Sequence, residues 1–130
     1  MAAGKYSFTI EQGATVDFEI AYKDSSGNPI DLTGYQARMQ LRPGPGSNTL
    51  YISLSSSLAT DGTGLNLSGS GGLKPPTSGT IGVYISAVSS SQLSFDLASY
   101  DLELASSDGT VTRILEGKVK LSQEVTEGLY

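Results

Sequence analysis

Apolar and polar residues alternate along most of this chain, which is the period of a half-buried β-strand. Tyr6, Phe8 and Ile10 alternate with Ser7 and Thr9, and Gln12-Gly13 then turns the chain. A second strand follows with Val16, Phe18, Ile20 and Tyr22 on one face and Asp17, Glu19 and Ala21 on the other. The cluster Asp24-Ser25-Ser26-Gly27-Asn28-Pro29 predicts a turn, because Gly27 accepts a positive φ and Pro29 cannot extend a ladder. Ile30-Asp31-Leu32-Thr33-Gly34 leads into a third strand with Tyr35, Ala37, Met39 and Leu41 inward.

Arg42-Pro43-Gly44-Pro45-Gly46-Ser47-Asn48 reads as a loop, after which Leu50, Ile52 and Leu54 restart the alternation. Leu65 and Leu67 mark a short strand. Ser68 to Gly79, which contains Leu73, Pro75 and Pro76, reads as a surface excursion, either flexible or ordered by a partner. Ile81, Val83 and Ile85 form the next strand, with Tyr84 facing away from them, and Ala87 to Leu93 holds at most a turn or two of helix.

In the last third, Tyr100, Leu102 and Leu104 alternate with Asp101 and Glu103, and Asp108-Gly109 predicts a tight hairpin of the primed type. A two-residue turn there sets Leu104 opposite Arg113, Leu102 opposite Leu115 and Tyr100 opposite Gly117, where the Tyr100 ring covers bare backbone. A long final strand continues through Val119, Leu121 and Val125. The sum is about seven or eight strands with a turn signal every ~8–12 residues, the pattern of an antiparallel immunoglobulin-like β-sandwich. At 130 residues, one domain spanning 1–130 is expected.

Composition narrows the chemistry. The hydrophobic fraction of 38% suits strands that bury half their side chains. A net charge of −5, with eight Lys and Arg that look scattered, argues against a nucleic-acid partner; the close pair Lys118 and Lys120 fits the outward face of a strand. There is no Cys and no His, which removes disulfides, thiolate metal sites and the usual general base. Met1 to Lys5 is followed by no long apolar run, so neither secretion nor a membrane span is signalled.

The candidates for chemistry have plainer readings. Asp17, Glu19, Asp101 and Glu103 alternate with apolar residues, as on a solvated sheet face. Asp24 to Asn28 has the oxygens of a calcium loop but no Glu at the required spacing. The serines have no His and no Ser-x-x-Lys to activate them, and the glycines of Gly69–Gly72 do not link a strand to a helix. The expectation is therefore no enzyme, no cofactor, no metal and no small-molecule substrate. Asp96-x-Ala98-x-Tyr100 has the spacing of a tyrosine corner, whose phenol bonds to nearby backbone, with Leu102 where an antibody domain carries its second Cys.

Docking is the more productive reading of the surface. Tyr51, Tyr84 and Ile114 point away from the inward sets in these registers, where they would either form a docking patch or pack as the core of an opposing layer. The loops carrying Pro43, Pro45, Leu73, Pro75 and Pro76, together with the termini including Tyr130, are the expected contact segments, and the final strand supplies an edge for a neighbour to extend.

Two stretches resemble the N-terminal domain of phage baseplate upper proteins and related small virion proteins of tailed phages. The first holds Gln12-Gly13, Tyr22-x-Asp24, Gly27-x-Pro29 and Ile30-Asp31-Leu32-Thr33-Gly34. The second holds Tyr100 to Leu104, Asp108-Gly109, Leu115-Glu116-Gly117-Lys118-Val119 and Glu124-Val125-Thr126. The resemblance implies an immunoglobulin-like module of the virion, assembled in the host cytoplasm. Such a module would be an adaptor at the tail baseplate or tail-fibre junction, contacting other virion proteins and copies of itself. The chain departs from the baseplate pattern in stopping at Tyr130 without a helical or fibrous continuation. The alternatives are a capsid decoration or head–tail neck protein, and a carbohydrate-binding sandwich, which would need an exposed aromatic platform and usually Trp, absent here.

Overall fold

The computed structural model describes residues 3–127. Among them the chain forms nine strands and one short helix: β1 (Gly4–Lys5), β2 (Phe8–Glu11), β3 (Val16–Ala21), β4 (Gln36–Arg42), β5 (Ile52–Ser55), β6 (Gly64–Asn66), β7 (Thr80–Ile85), α1 (Ala87–Ser91), β8 (Leu97–Ala105) and β9 (Val111–Ser122). They make an all-β sandwich. The larger sheet runs β9-β8-β4-β5 with β1 and β2 both on the far side of β9, and the smaller sheet runs β3-β7-β6. That is the strand order of an immunoglobulin-like sandwich, B-E-D facing G-F-C-C′.

The larger sheet is mixed, which corrects the expectation of a purely antiparallel one. β1 and β2 run parallel to β9, with Gly4 opposite Leu115 and Ile10 opposite Leu121. Parallel neighbours need a long crossover, and here nearly the whole chain between β2 and β9 supplies it. The same pairing makes β9 an interior strand. The edge that the sequence assigned to it is occupied by the chain's own N-terminal segment.

Alternation explains the core. Ala37, Met39 and Leu41 of β4 and Ala98, Tyr100, Leu102 and Leu104 of β8 are buried, and they face Leu65, Ile81, Val83 and Ile85 of the smaller sheet within one cluster. Each fully buried Leu, Ile or Val contributes about 1.5–3 kcal/mol. Tyr6, Phe8, Phe18 and Tyr100 close the side of the sandwich between β2 and β3, with Phe8 packed on Phe18 at 5.1 Å and edge-on to Tyr100 at 5.3 Å.

The β8–β9 hairpin keeps part of the expected register: Tyr100 pairs with Gly117 and Leu102 with Leu115. Beyond that a bulge intervenes, so Glu103 faces Arg113, and Leu104 faces Thr112 rather than Arg113. The turn is a three-residue type, not a primed two-residue one. Ser106 N–H bonds the Thr110 carbonyl, and Gly109, at φ +89°, is the only residue of the turn with positive φ. A primed type I turn would need positive φ at Asp108 as well.

Candidate functional site

The structure redistributes the residues that the sequence marked for contact. Ile114 is the extra residue of the β9 bulge; it is half-buried and packs on the core, so it does not point outward as expected. Tyr51 precedes the first paired residue of β5, is not bound by its alternation, and turns inward to stack on Phe95 at 4.6 Å. Leu50 is exposed in its place. Tyr84 does face away from the core, half-buried beside Gly62. Pro43, Pro45 and Pro75 are exposed, while Pro76 is half-buried and its carbonyl accepts the N–H of Leu32 at 3.0 Å. Val125, expected within the final strand, lies beyond its end at Ser122 and is exposed, and Tyr130 lies outside the described residues.

Tyr100 is not a tyrosine corner. Its phenol donates at 2.6 Å to the carbonyl of Tyr6, across β9, and Asp96 takes no part. Gly117 makes this possible: a Cβ there would sit 2.0 Å from the Tyr6 oxygen. Burial, together with the neighbouring Tyr6, pushes the phenol's pKa well above its ordinary value, so it remains a donor.

The turns keep their expected roles. Asp24 accepts from the N–H groups of Ser26 and Asn28, both at 2.9 Å, and Gly27 closes the turn before Pro29. Asp31 accepts from the Thr33 N–H and hydroxyl ahead of Gly34, which holds its carboxyl below the usual range. Among the described residues no group of three or more carboxylates is placed to hold a metal ion, and no helix is long and apolar enough to cross a membrane.

The segment from Ser68 to Gly79 is the main surprise. It is folded back on the smaller sheet rather than left loose, with 3₁₀ turns at Ser70–Gly72 and Pro76–Ser78. Glu19 accepts from the Ser70 N–H at 2.8 Å and from Lys74 Nζ at 2.9 Å, and Asp17 accepts from the Ser70 hydroxyl at 2.8 Å. The outer carboxylates of β3 thus anchor a loop instead of facing only solvent. The Ser70 and Lys74 bonds also hold the Glu19 carboxyl below its ordinary pKa. Gly82 of β7 provides the seat, since a Cβ there would come within 2.7 Å of Ser70 N. At the tip of this anchored loop Leu73 is 87% exposed.

Two concavities accompany it. The smaller, about 600 Å³, lies beside Tyr51, Asp61, Ser89 and Gln92. Asp61 accepts from the hydroxyls of Ser86 and Ser89 and from the Thr63 N–H, and these bonds hold its pKa down at about 2. The larger, about 750 Å³, runs over the outer face of β4, β8 and β9. Five of the chain's eight Lys and Arg line it: Lys5, Arg38, Arg42, Arg113 and Lys118. Arg38 and Arg42 share the outer face of β4 by alternation, but strand order is what brings Lys5, Arg113 and Lys118 beside them.

Fold and surface together define a β-sandwich of immunoglobulin-like strand order that presents an anchored apolar loop on one sheet and a charged groove on the other. No protein-family model and no curated protein sequence matches the chain.

Proposed function

We propose that this chain is a structural virion protein of a tailed phage, an adaptor at the tail baseplate or fibre junction that works by protein–protein contact and not by catalysis. The virion part of this reading comes from the resemblance of the two sequence stretches around β3–β4 and β8–β9. The docking part is carried by Leu73. An exposed leucine on a loose loop is ordinary, but on a loop held by Asp17, Glu19 and Gly82 it offers apolar surface with little left to order on binding. The left-handed glycines Gly71 and Gly72 shape the turn that presents it.

The test uses particles of the phage that encodes the chain. Mass spectrometry is expected to find the protein in purified virions, and immunogold labelling to place it on the tail. Leu73→Asp is expected to leave the melting temperature of the isolated protein unchanged and to exclude it from particles. Absence of the wild-type chain from virions would sink the virion reading, label on the head would replace the adaptor with a decoration or neck protein, and normal incorporation of Leu73→Asp would remove the loop from the interface.

A further inference from the structure

The groove on the larger sheet is ordered in transverse rows. Arg38, Glu103 and Arg113 form one row across β4, β8 and β9; Gln40, Asp101 and Glu116, with Lys5 outside them, form the next; Arg42, Ser99 and Lys118 form the last. Every carboxylate of the groove is already taken. Glu103 pairs with Arg38 at 2.7 Å, Glu116 with Lys5 at 3.2 Å and Asp101 with Arg113 at 3.3 Å.

Five cations against three carboxylates leave two positive charges over, in a chain whose net charge is −5. They are Arg42 and Lys118, which have no carboxylate partner among the described residues and share the one row without an acid. Both are positioned by neutral groups. The Arg42 guanidinium donates to Gln40 Oε1 at 2.9 Å and to the Ser47 carbonyl at 3.1 Å, and Lys118 Nζ donates to Ser99 Oγ at 2.8 Å. Two strand spacings separate their backbones, about 10 Å, which leaves room for a carboxylate between the side chains. Lys118 keeps two ammonium hydrogens for such a ligand.

We propose that this row binds the carboxylates of an acidic segment of a partner protein laid across the groove. The surplus is matched to one or two carboxylates, and two unpaired cations are too few for the counterion release that holds a nucleic acid. That the partner is a protein rests on the adaptor reading; the charge arrangement does not.

The experiment measures binding of fluorescein-labelled hexaglutamate by fluorescence anisotropy at ~50 mM salt, where surface electrostatics are weakly screened. Arg42→Gln combined with Lys118→Gln is expected to weaken binding about tenfold or more, and Lys23→Glu, which makes the same change in net charge away from the groove, to alter it less than about twofold. Melting curves accompany each variant. Should the double variant unfold through loss of the Arg42 bonds, Lys118→Gln alone is expected to weaken binding about threefold. No binding of hexaglutamate, an equal loss in Lys23→Glu, or equally tight binding of labelled hexathymidylate would overturn the proposal. None of these results bears on whether the chain is found in virions or needs Leu73, so the two readings fail separately.

Discussion

The Tyr100 hydroxyl donates a 2.6 Å hydrogen bond to the backbone carbonyl of Tyr6, 94 positions earlier in the chain. This bond spans the bare backbone of Gly117 and ties the N-terminal segment to the body of the larger sheet. It falls between β1 and β2, where the parallel ladder with β9 is interrupted, and it joins the Tyr6 N–H bond to the Glu116 carbonyl at 3.0 Å in holding that stretch to β9.

Tyr100→Phe is expected to destabilise the protein by about 1–3 kcal/mol, because the Tyr6 carbonyl loses its partner in a partly buried place. Gly117→Ala acts on the same contact from the other side, by pushing the Tyr6 carbonyl away. The two losses are therefore expected to be less than additive in a double-mutant cycle read by urea denaturation. Additive losses would show that the residues act separately, and equal midpoints for Tyr100→Phe and wild type would show that the bond contributes nothing.

Asp61 gives the fold an acid-sensitive joint between the loop before β6 and the start of α1. Its folded pKa of about 2 lies below the ordinary value of 3.8, so its stabilising contribution is complete above about pH 4 and is lost as the pH falls through 2. Asp61→Asn is expected to melt below the wild type at pH 7, with the gap narrowing between pH 4 and pH 2. A gap independent of pH would mean that the carboxylate's charge is not what the Ser86 and Thr63 bonds select.

Gly82→Ala is expected to lift the Ser68–Gly79 loop off the smaller sheet while the strands stay paired, since the added methyl would strike the backbone of Gly69 and Ser70. Hydrogen exchange would read this as faster exchange at Ser70 and Lys74, with β3 and β7 protected as before. Unchanged protection at Ser70 would mean that the loop accommodates the methyl and that Gly82 is not its seat.

The strands themselves were legible because alternation is local. Val16 to Ala21, Gln36 to Arg42 and Leu97 to Ala105 each state in a few residues which face is buried, and the turns at Gly27 and Gly34 need only their own neighbours. Sequence alone therefore determined the fold class, most inward residues and half of the final hairpin. Tertiary structure decided what depends on residues far apart in the chain: the parallel docking of β1 and β2 on β9, the acceptor of the Tyr100 phenol, the hold of Asp17 and Glu19 on a loop some fifty residues later, and the single row of Arg42, Ser99 and Lys118. The physical reason is that a strand's own pattern fixes which way a side chain points, whereas what it meets there is set by the strand or loop packed beside it. At Ile114 even the direction depended on the partner, because a bulge exists only between two strands.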